Sequence, residues 1–217
     1  MRSVISLEIV ARGEGWLLIN KPPGVSVHND PRDVVHILEK QLIPGTFEGI
    51  HPVHRLDKET SGLLLLALNT RMAKELAEQL QARSCEKYYF ALLRGSMPIT
   101  EEWQNWNTPI SDKAEGRNNP QGLAKDRVEA RTDFKVIKSD QYTSLIEVKL
   151  FTGRQHQIRK HAALAKHAIL GDTRYGDPKF NKRIAEIYKT DRMFLHAGKL
   201  KISISGKEHT FEAPREF

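Results

Sequence analysis

A carboxylate and a guanidinium stand two positions apart in segment 54–62, which reads His-Arg-Leu-Asp-Lys-Glu-Thr-Ser-Gly. An unbroken apolar run over 63–68 follows at once, and a run of this length bounded by turn residues predicts a buried strand. If the segment is extended, Arg55 and Asp57 share one face while Leu56 points into the core. Loops anchored on rigid strands carry chemistry more often than other surfaces do. The pattern therefore indicates an ion pair held at one fixed place.

An ionised carboxylate without room to move is a candidate nucleophile toward a glycosidic or ring carbon. A neighbouring arginine favours the ionised form, and both Arg55 and Arg159 are candidates to stand beside Asp57. The same residues are also compatible with a salt bridge that ties a loop to a helix, because structural ion-pair networks gather charges too. Taken alone, these three residues leave both interpretations open.

Two further segments have residue types that contact bases or phosphates. Tyr88 and Tyr89 lie on a predicted strand, so one faces the core and the other faces away, and a tyrosine there can stack on a base or pack in the core. Thr152 and Gln155 predict a capping box at the start of a helix. Free N–H groups at that helix start, together with Arg154, would suit a phosphate, although an ordinary charged surface helix has the same pattern.

Composition narrows the classes of protein. Charged residues make up 28% and hydrophobic residues 39%, which is typical of a folded globular chain. The net charge of +7 is concentrated: residues 151–217 hold 14 Lys and Arg against 7 Asp and Glu, whereas residues 1–150 hold 20 of each. A local basic excess suits a polyanionic partner, and it also suits a solubilising surface.

The single cysteine, Cys85, excludes an intrachain disulfide and fits a reducing compartment. We see no signal peptide and no apolar run long enough to span a bilayer, so we expect a soluble, cytoplasmic protein. The chain has no cysteine cluster, no His-Glu-x-x-His motif, no phosphate-binding glycine loop and no dinucleotide fingerprint. From these motifs we expect no metal site, no Walker-type nucleotide site and no dinucleotide site.

Hydrophobic periodicity and turn residues predict the regular elements. Strands are expected at 4–11, 16–21, 63–68, 87–94, 130–136, 144–150, 194–204 and 208–211, and helices at 34–42, 70–83 and 181–189, besides the capped helix at Thr152. Residues 96–128 give no regular pattern and are expected to be irregular. One domain over residues 1–217 is the simplest organisation.

Several motifs, in order along the chain, resemble those of the RluA-type pseudouridine synthases. They span residues 20–197, and five or more ordered motifs are far more specific than any one of them. They are Asn20-Lys21-Pro22-x-Gly24, His54-Arg55-Leu56-Asp57-x-x-Thr60-Ser61-Gly62, Lys87-x-Tyr89-x-Ala91 with Gly95, Ala130-x-Thr132, Thr152-Gly153-Arg154-x-His156-Gln157-Ile158-Arg159-x-His161, Gly171-Asp172-x-x-Tyr175-Gly176, and Leu195-His196-Ala197.

The resemblance implies an α+β fold: a long mixed, mainly antiparallel sheet with flanking helices and a central RNA-binding cleft. It also implies a reaction, the conversion of a uridine in tRNA or rRNA to pseudouridine without cofactor or metal. Asp57 is then the nucleophile, Tyr89 stacks on the base and takes the proton from C5, and Arg159 pairs with Asp57. Arg55 fills the gap left when the uridine is flipped out, and unstacking a base costs a few kcal/mol.

Further RNA contacts are implied by the positions that match the family's motifs. Ile158 packs under the base, and the remaining contacts are Lys21, His54, Thr60, Arg154 and His156. Many relatives carry an additional N-terminal domain of the S4 type; we expect none here, so that substrate choice comes from the core and from residues 96–128. We also expect a monomer. The competing hypotheses are an RNA-binding protein that has lost catalysis and a structural ribosome-associated protein.

Overall fold

The computed structural model describes residues 6–82, 84–215 and 217. Within that part of the chain, four α-helices and twelve strands are present. The strands are β1 Glu8–Gly13, β2 Trp16–Lys21, β3 His51–Pro52, β4 Ser61–Ala67, β5 Glu86–Arg94, β6 Gln104–Trp106, β7 Ile110–Ser111, β8 Arg127–Val128, β9 Thr132–Ser139, β10 Thr143–Leu150, β11 Leu195–Ile204 and β12 Lys207–Glu212. The helices are α1 Val34–Gln41, α2 Thr70–Gln81, α3 Gln157–Leu164 and α4 Pro178–Tyr188.

The chain forms two compact units, Met1–Lys87 with Ala197–Glu216, and Tyr88–His196 with Phe217. The first unit contains the strand order β1-β2-β4-β11, with β3 paired to β4 and β12 paired to β11. The second contains the order β5-β10-β9-β6 and the separate pair β7-β8. Strands mostly pair in antiparallel fashion and helices form separate segments, which confirms the predicted α+β class. No helix in the described residues has the length and apolarity needed to cross a membrane.

Strand β4 is the most deeply buried element of the first unit, since all seven of its residues are buried. Helix α2 packs beside it through Met72 and Leu76, in the same apolar cluster as Leu63 and Leu65. Each such leucine contributes about 2 kcal/mol by leaving water. The helix starts at Asn69, whose side chain accepts a hydrogen bond from the N–H of Met72 at 2.8 Å. The segment 54–60 therefore ends on a rigid strand, as the apolar run predicts.

Gly62 joins this strand to the motif loop at a place where no side chain fits. Its φ is +110°, and a Cβ there would collide with the backbone of Ala197 on β11. We expect Gly62→Ala to lower the free energy of unfolding by about 3 kcal/mol or more, from backbone strain and overpacking together. The matched control is Gly206→Ala, because Gly206 has φ +75° and open space around its Cβ. It should lose only about 1 kcal/mol. Urea denaturation measures both, and equal losses would contradict the steric argument.

In the second unit, β5 alternates strictly between its two faces. Tyr89, Ala91 and Leu93 are buried, whereas their neighbours along the strand are half-buried or, for Arg94, exposed. Tyr89 stands opposite Val148 on β10, and Val148 stands opposite Phe134 on β9. Side chains in such opposed pairs share a face of the sheet. The prediction that one of the two adjacent tyrosines faces inward is confirmed.

The predicted capping box at Thr152 is wrong. Helix α3 begins at Gln157, and its N-cap is His156, which has a left-handed conformation with φ 56°. The Thr152 hydroxyl instead donates to the side-chain oxygen of Gln157 at 2.7 Å. Arg154 consequently precedes the helix rather than lying in its first turn. The backbone N–H of Gln155 donates to the carboxylate of Asp112 at 2.6 Å, so a protein carboxylate already binds beside the helix start.

The expectation that residues 96–128 are irregular is wrong in part, since β6, β7, β8 and a 3₁₀ turn at Ala124–Asp126 lie there. Two side chains of helix α3 anchor this segment by contacts with its backbone carbonyls. The buried Lys160 ammonium donates to the carbonyls of Ser111 and Lys113, each at 2.7 Å. His161 lies 3.0 Å from the carbonyl oxygen of Thr108. Such contacts link residues about 50 positions apart, which local periodicity does not register.

Strand and helix bounds otherwise agree with the predicted ones to within a few residues. The first predicted strand, 4–11, begins outside the described residues, and its described part starts at Glu8. The predicted helix over 70–83 ends at Gln81, and position 83 lies outside the described residues. The predicted helix over 181–189 begins earlier, at Pro178, because Asp177 caps it by accepting from the N–H groups of Lys179 and Phe180.

Candidate active site

The motif loop of the first unit presents its residues as the sequence predicts. Leu56 is buried, Arg55 is exposed and Asp57 is half-buried. The backbone N–H of Thr60 donates to the carbonyl of Asp57 at 3.1 Å and closes a turn. Thr60 itself is 2% exposed, which favours a positioning role for this residue over the predicted RNA contact. The loop thus leaves the carboxylates of Asp57 and Glu59 half-buried, while the residues on either side of this pair, Leu56 and Thr60, are buried.

The end of β2 and the loop after it hold the motif loop through the carbonyl group of Lys58. The Lys21 ammonium donates to the carbonyl of Lys58 at 3.1 Å, and the Gly24 N–H donates to the same oxygen at 2.8 Å. Lys21 also donates to the carbonyls of Pro22 and Val25, at 2.9 and 2.8 Å. Its exposed area is zero, so burial favours a positioning role for Lys21 over the predicted RNA contact.

Burial also changes the acid–base chemistry of this lysine. Desolvation lowers the pKa of Lys21 to about 7, against the opposing attraction of Glu59 and Asp57. Both carboxylates raise the pKa, which places the Lys21 ammonium within the electrostatic reach of Asp57. The electrostatics of the loop therefore include a buried lysine that the spacing of Arg55 and Asp57 does not reveal.

His54 fastens the start of the motif loop to β4. Its Nε2 accepts the backbone N–H of Leu65 at 3.1 Å, which requires that nitrogen to be unprotonated. Next to this bond, the N–H of Val53 donates to the carbonyl of Leu65 at 3.4 Å. Burial, with a smaller contribution from the Lys87 charge, lowers the pKa of His54 to about 3. A neutral acceptor in this place favours a structural role for His54 over the predicted RNA contact.

The lowered pKa of His54 gives stability a defined pH dependence. The folded pKa is about 3 and the ordinary value is 6.5, so the neutral ring stabilises the fold above pH 6.5 and that stability is lost as pH falls toward 3. Relative to His54→Gln, the unaltered chain should lose about 2 to 3 kcal/mol more between neutral pH and about pH 4.5. Urea unfolding at both pH values measures this. The exposed His51, replaced by Gln, is the control, and an equal loss for both variants would contradict the assignment.

In the second unit, two predicted site residues are buried. Tyr89 on β5 is 7% exposed and Ile158 on α3 is 4% exposed. Ile158 is the second residue of a helix whose first six residues are all buried. Burial on both elements leaves each side chain little freedom to move.

Arg159 is held by a partner that the sequence analysis did not assign. Its Nε and Nη2 donate to the two carboxylate oxygens of Asp172, at 2.8 and 2.9 Å, and both side chains are almost fully buried. The same carboxylate accepts the backbone N–H groups of Arg174 and Tyr175, at 2.9 and 3.0 Å. A bidentate pair of this kind fixes the plane of the guanidinium. The sequence motif included Asp172, but it did not reveal that Asp172 binds Arg159.

Tyr175 lies beside Arg159 and also contacts His156. The guanidinium carbon of Arg159 lies 5.3 Å from the ring centroid of Tyr175. The Tyr175 hydroxyl lies 3.0 Å from Nδ1 of His156. Arg154 stands farther out, with Nη1 3.7 Å from a carboxylate oxygen of Asp112. The predicted RNA contacts from His156 and Arg154 stay predictions.

Asp57 thus lies in the first unit, while Tyr89 and Arg159 lie in the second. That the three act together, and that Arg159 pairs with Asp57, stays a prediction. Among the residues that the structure describes, no group of three or more His, Cys, Asp or Glu side chains is arranged to hold a metal ion.

A family model described as RNA pseudouridylate synthase matches residues 15–164, which is most of the chain. The chain belongs to this family. A tRNA pseudouridine synthase C of Haemophilus ducreyi is 33% identical over 203 residues, covering 89% of this chain and 84% of the relative. A ribosomal large subunit pseudouridine synthase C of Vibrio vulnificus is 32% identical over 213 residues, covering 94% of this chain and 64% of the relative.

The solved structure of human RNA pseudouridylate synthase domain containing 1 superposes with a TM-score of 0.78 at 27% identity, and the match covers 98% of this chain and 84% of that one. The predicted pseudouridine synthase fold and the predicted family are therefore confirmed. Pseudouridine synthases are isomerases, because uridine and pseudouridine have the same atoms and differ in which ring atom is bonded to the ribose. The matches support an enzyme rather than a binding protein that has lost catalysis.

Proposed function

We propose that this pseudouridine synthase isomerises a specific uridine in structured tRNA or rRNA, and that Asp57 is its nucleophile. The observation that carries the proposal is the family match over residues 15–164, which includes Asp57 and the whole loop that positions it. The relatives named above act, by their names, on tRNA and on the RNA of the large ribosomal subunit. We further propose that residues 1–217 act as one catalytic domain, as a monomer and in the cytoplasm.

The reaction exchanges one bond for another. The bond between N1 of uracil and the ribose breaks, a bond between C5 and the ribose forms, and C5 loses a proton while N1 gains one. Asp57 supplies the negative oxygen that attacks the substrate, and the bond it forms is broken again before the product leaves, which regenerates the carboxylate. Tyr89 stacks on the base and takes the C5 proton, and Ile158 packs beneath the base. Arg159 pairs with Asp57 and favours its ionised form.

The rigid pairing with Asp172 supports this role of Arg159. A guanidinium whose Nε and Nη2 are both bonded to one buried carboxylate presents its remaining side in one orientation. Catalytic groups must be held close to their working geometry by neighbours of this kind. Asp172 is accordingly a positioning residue, while Arg159 is the group that meets the reacting carboxylate.

RNA contacts are assigned to side chains that reach solvent or lie near it. Arg55 is exposed and fills the space that the flipped uridine leaves. Arg154 and His156 bind the RNA backbone near the start of α3. The basic excess of residues 151–217 provides further phosphate contacts, so binding weakens as salt rises.

Arg55→Ala tests the role of the exposed arginine. We expect modification of a uridine in a base-paired or stacked site to fall by about tenfold or more, since unstacking costs a few kcal/mol. Modification of the same uridine in an unstructured oligonucleotide should fall much less. Lys58→Ala, which removes a neighbouring exposed cation, controls for lost charge. Equal losses on both substrates would count against the space-filling role.

The experiment that tests the function compares cells with and without this chain. Pseudouridines are mapped at single-nucleotide resolution in total RNA from both, and the sites that disappear are then presented as transcripts to the purified protein. We expect one or a few sites in tRNA or rRNA to be lost in the cells and restored in vitro. An identical pseudouridine map in both cell types, with no product in vitro, would overturn the proposal.

A further inference from the structure

One sheet face of the second unit carries a group of side chains that the proposed reaction does not use. Tyr88 stands opposite Lys149, and Lys149 stands opposite Asp133. These residues share a face, and successive side chains on a strand alternate. The face that carries Tyr88 is therefore the reverse of the one that carries Tyr89. We call it the outer face.

The outer face exposes aromatic rings. Trp103 is 39% exposed and Phe151 is 37% exposed, while Tyr88 is half-buried. The ring centroids of Tyr88 and Trp103 are 6.4 Å apart, with their planes inclined at 48°. Large aromatic side chains that gather at the surface mark an interaction site more often than isolated ones do.

Each of these rings has a cation beside it. The Lys135 ammonium lies 4.7 Å from the ring centroid of Trp103. The Lys149 ammonium lies between two rings, 5.5 Å from that of Tyr88 and 5.7 Å from that of Phe151. Flexible lysine chains keep the charge close to the ring while leaving it able to move aside for a ligand.

A third cation borders the same face. The guanidinium carbon of Arg131 lies 5.0 Å from the ring centroid of Phe151. Arg131 donates to both carboxylate oxygens of Asp133, at 2.9 and 3.0 Å. Asp133 is only 7% exposed, so this carboxylate lies under the surface while the arginine remains in solvent.

We propose that the outer face binds a single-stranded segment of the RNA, with bases stacked on Trp103, Phe151 and Tyr88 and phosphates held by Lys135 and Lys149. Aromatic rings interleaved with cations on an open sheet are how single-stranded nucleic acids are bound without strong sequence preference. Protein interfaces are depleted of lysine, which makes a protein a poorer fit to this face. That the strand belongs to the substrate and flanks the target uridine rests on the function proposed above.

Binding of an oligouridylate of about 12 nucleotides tests the proposal directly. The titration is followed by tryptophan fluorescence and by anisotropy of a labelled oligonucleotide, in the full-length protein. We expect Trp103→Ala to weaken binding about tenfold and to remove most of the fluorescence quenching. Lys135→Glu should also weaken binding and should reduce the slope of log affinity against log salt by about 0.7 or more.

The matched control is Tyr142→Ala, because Tyr142 is an aromatic residue that is 65% exposed and lies outside the outer face. It should bind like the unaltered chain. Unfolding curves for all three variants check that they fold. If Trp103→Ala does not fold, Lys135→Glu still tests the proposal. Affinities and salt slopes equal to those of the unaltered protein in the folded outer-face variants would overturn the proposal.

A second measurement distinguishes the proposal that the outer face binds RNA from the proposal that the protein forms pseudouridine. On a minimal stem-loop that holds only the target uridine, both outer-face variants should form pseudouridine at the unaltered rate, and on the longer RNA their KM should rise about tenfold. If no RNA is modified by the unaltered protein, the function fails, and oligouridylate binding still decides the outer face. If product forms normally and KM on the long RNA is unchanged, the outer face alone fails.

Discussion

Asp57→Asn should abolish pseudouridine formation and leave RNA affinity within about twofold. The amide has almost the shape of the carboxylate but no negative charge, so the loop geometry and the RNA contacts remain while the nucleophile is lost. Because the C5 proton is released in every turnover, release of tritium from RNA labelled at C5 measures the rate. We expect a decrease of about 10⁴-fold or more, as for other enzymes that lose their nucleophile.

Glu59→Gln is the control for this experiment. Glu59 lies two residues away on the same loop, and it acts on the Lys21 ammonium as Asp57 does, so the variant removes one negative charge from the same neighbourhood. Its rate should stay within about tenfold of the unaltered protein. Normal product from Asp57→Asn would defeat the nucleophile assignment. Equal and complete loss in both variants would show that the loop charge as a whole, rather than one oxygen, is required.

Asp172→Asn should destabilise the protein by about 3 to 5 kcal/mol and lower its activity as well. The carboxylate accepts two bonds from Arg159 and two from backbone N–H groups, all within a buried site. Removal of its charge takes away the bidentate partner of a buried guanidinium, which costs far more than removal of an exposed pair. Urea denaturation gives the stability, and the tritium assay at low temperature gives the activity of the folded fraction.

The control for this variant is Glu212→Gln, which breaks the pair with Lys199 on the β11–β12 hairpin. That carboxylate is 65% exposed, so the loss should be below about 1 kcal/mol. A stability loss for Asp172→Asn no larger than that of the control would contradict the buried-pair argument. Full activity per folded molecule would contradict the positioning role and leave only a structural one.

Local patterns were sufficient for the elements that carry the site. The apolar run over 63–68 predicted β4. All residues of this strand are buried, so a continuous apolar run, rather than an alternating one, is its signature. The i, i+4 spacing of apolar residues predicted helix α2. Alternation of apolar and polar residues predicted the paired strands β9 and β10. The exposed Arg55 and buried Leu56 followed from the extended character of the loop. These features depend on neighbours within a few residues.

Buried polar contacts to backbone groups were missed. The three carbonyl acceptors of Lys21 and the bond from Leu65 to His54 are formed with backbone groups, which have no residue type to recognise. The start of α3 was misplaced because His156 adopts a left-handed conformation, which is uncommon for residues other than glycine. The family motifs included Lys21, His54 and His156. The structure was needed to show that Lys21 and His54 hold the motif loop in place.

The carbonyl of Lys58, bound by both Lys21 and Gly24, has a consequence for how this enzyme can diverge. Position 58 anchors the catalytic loop with its main chain only, while its side chain is about half exposed and meets Asp30 at 3.5 Å. Any residue with ordinary backbone preferences can keep that anchor. Substitutions at position 58 can therefore change the charge displayed beside Asp57, the proposed nucleophile, while the backbone anchor of the loop remains.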